Sequence, residues 1–168
     1  MSKSTIQGPS YSPGDLMDEV NEITDEIDRQ MMGRTYRAAN ELRNSALLVL
    51  RGSRSGRRYK VPGTYRRQRD KVDGKIKRGR YYTASAPGEP PAVRTGTFRM
   101  SWQPTAHRIF GNYISRIESD ATTDNGRHNL GEILENGTSR MAPRPHHDSI
   151  LDHAEPRIRK IYEKDFEG

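Results

Sequence analysis

The sequence predicts an α+β fold: a long N-terminal helix and a C-terminal helix packed on an antiparallel β-sheet, with an extended β-hairpin and a Pro-rich arm. Three observations predict it. Apolar residues recur at helical spacing in the first third and again near the end, the middle alternates apolar and polar residues around turn signals, and basic, glycine- and proline-rich stretches separate the two regimes.

At 168 residues the chain suits one domain, read over 12–168, with 1–11 as a flexible polar tail. Ser12, Pro13 and Asp15 supply a capping hydroxyl, a proline at the first helical position and a carboxylate one turn in. Leu16, Val20, Ile23, Ile27 and Met31 then form one apolar stripe. The pattern resumes with Ala38, Leu42, Ala46, Val49 and Leu50 and stops at Gly52, which predicts a helix over 14–51 with Gly33 as a candidate bend.

Residues 52–85 read as a basic hairpin with arms near Arg57–Val61 and Arg80–Ser85. Its tip carries Arg66, Arg67, Arg69, Lys71, Lys75, Lys77 and Arg78. Any one of these charges suits a solvated loop; the whole cluster is expected to meet DNA or an acidic partner.

Residues 86–96 follow as the Pro-rich arm. Pro87, Pro90 and Pro91 restrict φ and push Ala86, Glu89 and Pro90 away from the α region, so Ala86, Pro87, Gly88, Glu89, Pro90 and Pro91 are expected to run extended. Such an arm, cheap to order, suits contact with a neighbouring subunit.

Residues 97–120 read as antiparallel strands. Thr97 to Gln103 alternates with Phe98, Met100 and Trp102 on one face, and "HRIFGNYISRIES" gives two further strands around a Gly111-Asn112 turn. Over 130–166 a Gly-Thr turn leads into a helix carrying Leu151, Ala154, Ile158, Ile161 and Tyr162. Pro145 is expected in its first turn and Pro156 is expected to kink or restart it.

The charge is unevenly spread. Residues 1–33 hold two basic and seven acidic side chains, 34–116 hold twenty and four, and 117–168 hold seven and eleven. The basic middle calls for an anionic partner, and in a ring of identical subunits the acidic arm of one copy neutralises the basic segment of the next. With 31% hydrophobic and 30% charged residues the core is thin, so burial completed between subunits is expected.

Catalytic signatures are missing: there is no Gly-rich phosphate loop after a strand, no GxSxG and no HExxH. His146, His147 and His153 lie near Asp148 and Asp152, but His147 and His153 do not share a helix face and there is no cysteine, so no metal and no cofactor are expected. His128, Glu132 and Glu135 read as ordinary surface. There is also no apolar run long enough for a bilayer and no h-region after the polar start. Tyr59, Tyr65, Tyr81 and Tyr82 interleave with basic residues as stacking platforms do, which keeps a stand-alone, non-sequence-specific nucleic-acid binder as the rival class.

"SGRRYKVPG", "YYTASAPGEPPAVRTGTFRMSW" and "LGEILENGTSRMAPRPHHDSILDHA" occur in that order. This combination resembles the neck or tail-completion (head–tail joining) proteins of long-tailed bacteriophages, over roughly 34–160. It is carried by Ala86 to Pro91, by Thr95 and Gly96 through Arg99, and by Leu134, Glu135, Gly137, Thr138, Met141, Arg144 and Pro145. The resemblance implies a structural virion protein, not an enzyme, assembled in the host cytoplasm into a ring at the neck. Its implied partners are further copies of itself, neighbouring head-closure or adaptor and tail proteins, and the DNA in the lumen, with no membrane. A tail terminator capping the tube is the alternative within that class.

Overall fold

The computed structural model describes residues 12–61, 68–69, 76–77, 79–123 and 125–164. It shows an α+β chain with a long N-terminal helix, a C-terminal helix and antiparallel strands.

Helix α1 spans Pro13–Arg51, 39 residues, and Gly33 does not interrupt it. Its start is the expected one: Ser12 Oγ accepts from the Asp15 N–H at 3.2 Å while the Asp15 carboxylate accepts from the Ser12 N–H at 3.1 Å. At about 1.5 Å per residue the helix is about 58 Å long, far longer than the domain that packs on it. Only its second part is covered.

Strands β1 (Arg58–Lys60) and β4 (Tyr81–Thr83) pair antiparallel, as expected for the hairpin arms; β2 (Gln68–Arg69) and β3 (Ile76–Lys77) pair further toward the tip. Tyr59 stacks on Tyr82 with ring centroids 6.0 Å apart. Arg58 and Lys60 both approach the Tyr81 ring.

The expected strand from Thr97 does not form. Thr97–Met100 is instead a helical turn, α2, entered from Gly96 at φ 95° and supported by the Thr95 hydroxyl, which accepts from the Thr97 N–H at 3.4 Å. The strand starts only at Trp102. Phe98 and Trp102 are four residues apart, a spacing that fits a helical turn as well as a strand, and their rings meet edge to face at 5.6 Å.

Strands β5 (Trp102–Ile109) and β6 (Asn112–Ser119) form a regular hairpin. Ile109 pairs with Asn112, so the turn is Phe110-Gly111, one residue earlier than expected. Both turn residues have positive φ, 50° and 79°, as a two-residue turn matched to strand twist requires. The strands stay as separate two-stranded ribbons and do not merge into one sheet.

Helix α3 (Leu130–Asn136) and helix α4 (His147–Tyr162) complete the chain. Pro145 lies just outside α4, with His146 at the cap. Pro156 sits inside a helix that runs through it; Asp152, whose carbonyl loses its partner there, is exposed to water.

The second part of α1 packs against α4, β5 and β6. Alanines permit the close approach: Ala38, Ala39 and Ala46 on α1 and Ala154 on α4 are fully buried. Contacts set the direction of packing. His153 Nδ1 lies 3.1 Å from Ser45 Oγ, the Tyr162 hydroxyl 3.4 Å from Thr35 Oγ1, and Arg43 Nε donates to the Trp102 carbonyl at 3.0 Å. Helix α4 therefore runs antiparallel to α1, and the β5–β6 ribbon lies along it. The core closes around Ala46, Leu50, Trp102 and Ile150, with Val49, Phe98 and Ile117 packed on it. Among the described residues no helix is long and apolar enough to cross a membrane.

Candidate functional site

Hairpin register brings the Pro-rich arm to the end of α1. Beyond the Arg58–Thr83 pair the Ala84 N–H donates to the Arg57 carbonyl at 2.9 Å and the Gly56 N–H to the Ala84 carbonyl at 3.0 Å, so Ser55 and Ala86 lie just past the end of the ladder. The Glu89 carboxylate fastens both. It accepts from the Ser55 hydroxyl at 2.6 Å, the Ala86 N–H at 2.8 Å and the Ser55 N–H at 3.1 Å. These hydrogen bonds, the Ser55 hydroxyl first, with help from the nearby Arg54 charge, hold its pKa down to about 2.

Ala86-Pro87-Gly88-Glu89 is thus a β-turn and not extended chain: the Glu89 N–H reaches the Ala86 carbonyl at 3.1 Å, with Gly88 at φ 80°. Proline at the second position and glycine at the third favour that turn. Beyond it Arg54 Nε donates to the Pro90 carbonyl at 2.6 Å and an Arg54 terminal nitrogen to the Pro91 carbonyl at 3.2 Å. Pro91 is buried. In this chain the arm is fastened to its own domain.

The second motif forms the path from α3 into α4. Gly137 ends α3 at φ 74° and ψ −171°, where a Cβ would come within 2.7 Å of the Met141 carbonyl oxygen and the Pro143 nitrogen. Only glycine fits there. Thr138 and Met141 then close a tight turn, the Thr138 N–H donating to the Met141 carbonyl at 2.8 Å. The Arg144 N–H returns to the Leu134 carbonyl at 2.8 Å, and its guanidinium grips the buried Ser85 through the carbonyl and the hydroxyl. That grip joins the two motifs.

Glu135 stands at the start of α4. Its Oε2 accepts from the His146 N–H at 2.9 Å and the His147 N–H at 3.3 Å, and lies 2.7 Å from His146 Nδ1. It caps a helix that has no side-chain cap of its own. His146 is fully buried among Phe98, Trp102 and His147. Its Nδ1 faces two acceptors, Glu135 and the Arg144 carbonyl at 3.1 Å, so the proton is assigned to Nδ1; Nε2 is buried with no partner among the described residues. Burial, opposed by the Arg144 carbonyl and the Glu135 charge, keeps the His146 pKa below its ordinary value.

Glu135, His146 and His147 also offer ligand atoms within 4.8 Å of one another. The Glu135–His146 contact is already a hydrogen bond, and the same carboxylate oxygen serves two helix N–H groups. The trio's chemistry is that of a helix cap. His153 is turned away to Ser45.

The other predicted residues fall apart from these clusters. Arg69 and Lys77 lie in β2 and β3; Arg66, Arg67, Lys75 and Arg78 lie outside the described residues, as do Lys71, Tyr65 and the 1–11 tail. The sequence reading did not single out a cleft of about 880 Å³ beside Leu50. Both motifs border it: Thr95, Gly96, Leu134, Met141 and Arg144 line it with Arg94, Phe98 and Arg99. It was hidden because its walls come from five separate stretches of the chain. A shared pattern of small, apolar and arginine residues in motifs that flank one domain was the available signal.

Comparison with family models, with curated proteins and with solved structures gave no match. The fold and these clusters define an α+β domain whose motif residues brace one end of a long helix.

Proposed function

We propose that this chain is a structural virion protein of a phage neck, a ring-forming head–tail connector or tail-completion component with no catalytic step of its own. One structural observation supports the assembly half of this reading. Along the first part of α1, Leu16, Met17, Val20, Ile23 and Ile27 are all exposed, between 45% and 62%. A stripe of large apolar residues at helical spacing is the face of a helix that packs on something, and nothing among the described residues covers it. The bacteriophage half rests on the motif resemblance. The burial of His146 supports a bracing role for its pairing with Glu135, since neither ring nitrogen can reach a substrate.

In this role the partners are further copies of the chain, the adjoining head-closure or adaptor and tail proteins, and the DNA passing through the ring. Electron microscopy of the purified protein, alone and with short duplex DNA, tests it. Closed rings of constant diameter are expected without DNA.

A second reading, a stand-alone nucleic-acid binder, is favoured by the exposed basic and aromatic β1–β4 ribbon, where Arg57, Arg58, Tyr59, Lys60 and Tyr81 all face solvent. Strong DNA binding by a particle that never forms rings, lost steeply with added salt, would move the assignment there.

A further inference from the structure

The two ends of this molecule are chemically opposite. At one end the exposed stripe of α1 runs between Asp15, Asp18, Glu19, Glu22, Asp25 and Glu26. The tip of the β5–β6 ribbon lies beside this end, because Arg108 and Tyr113 both bind Asp28 on α1. The tip residue Phe110 is 100% exposed and holds a left-handed φ of 50°, a conformation that costs a bulky residue energy and that Asn or Gly adopts more easily. A strained aromatic presented wholly to water points to a contact made outside the chain.

At the other end lies the cleft beside Leu50. Its walls carry three arginines, Arg94, Arg99 and Arg144, against one carboxylate, Asp120, among apolar surface from Phe98, Leu134 and Met141; the Arg144 guanidinium also holds Ser85. Arg99 Nε is buried there without a hydrogen-bond partner among the described residues.

We propose that the acidic, apolar end of one copy, the Leu16–Ile27 face of α1 with Phe110, docks on the Arg-lined cleft of a second copy. This rests on the ring-forming reading above and supplies its interface. Charge and apolarity match on both sides. Distance rules out the same contact within one chain: Leu50 is about 35 Å from Ile27 along the helix and about 51 Å from Leu16. The two surfaces differ, so the contact is heterologous and repeats head to tail, closing a ring when the rotation permits.

The test uses variants blocked at one end each, followed by light scattering. Val20→Asp with Phe110→Asp disables the donor end, and Arg94→Glu with Thr97→Glu disables the cleft mouth. All four positions are exposed, and circular dichroism checks that the variants fold; Ile23→Glu alone replaces the donor pair if it does not. Each variant alone is expected to stay at the 19.2 kDa of one chain. An equimolar mixture has a single intact interface per pair and is expected to give twice that mass and nothing larger. If the unaltered protein forms rings while both variants still assemble, or while the mixture stays monomeric, this interface is wrong and the ring reading stands. An unaltered protein that remains a single copy at all concentrations overturns both.

Discussion

Glu135 Oε2 lies 2.7 Å from His146 Nδ1 and also caps the two N–H groups that open α4. One carboxylate thus sets the histidine tautomer and the start of a helix, and it seats an imidazole against Phe98 and Trp102 in the core.

This buried imidazole makes stability depend on pH. Its folded pKa lies below the ordinary 6.5, chiefly through burial. The unfolded chain therefore takes up a proton near pH 6.5 that the folded chain refuses, and stability is full above that pH and falls as pH drops below it. The slope from one such group is up to about 1.4 kcal/mol per pH unit. Thermal melts from pH 7.5 to 5.5 should show a falling Tm in the unaltered protein and a flatter curve in His146→Gln.

Glu89 adds a dependence of the same direction at lower pH. Its pKa is held to about 2 against an ordinary 4.5, so its contribution is present above pH 4.5 and lost as pH falls from there toward 2. Glu89→Gln keeps the shape and removes the charge. Amide hydrogen exchange at Ser55 and Ala86 should accelerate in that variant at pH 7, while Leu42 in the core stays protected. Unchanged exchange at both amides would show that the arm is held by Arg54 and the prolines alone.

Gly137→Ala is expected to destabilise the protein by more than about 2 kcal/mol, since it forces a side chain into a glycine-only region of φ and ψ and against the Pro143 backbone. Urea unfolding measures it. The φ of 80° at Gly88 has open space around it, so Gly88→Ala should cost less.

Phe110→Asn should raise the stability of the single chain, by up to about 1 kcal/mol, because Asn accepts the left-handed turn position more readily. The same change should weaken self-association. Urea unfolding at low protein concentration checks the first effect and mass against concentration the second.

Much of the architecture was legible because local signals agreed. Ser12, Pro13 and Asp15 announce α1, and the spacing from Leu16 to Leu50 carries it through Gly33, whose cost in one position is small against a helix packed over Thr35 to Leu50. The hairpin arms at Arg58 and Tyr81 and the β5–β6 turn were close to their observed places. Thr97–Met100 was not, since Phe98, Met100 and Trp102 satisfy a two-residue period by coincidence; Met100 is exposed and only the four-residue Phe98–Trp102 pair is used.

The site was harder to read. Nothing in the spacing of Glu135 and His146 shows that a loop folds one onto the other, and Glu135 read as plain surface. The signal was indirect: a helix beginning right after a proline with no Ser, Thr, Asp or Asn at its cap needs an acceptor from elsewhere. The Ser55–Glu89 link follows from the hairpin register, which two tyrosine-rich arms do not specify by themselves.

Light scattering of the unaltered protein over a concentration series, with and without short duplex DNA, tests the central claim most directly. A mass that climbs to one fixed multiple of the chain and is indifferent to DNA is the predicted result. A single-chain mass at every concentration, with DNA binding that collapses as salt is added, would contradict it.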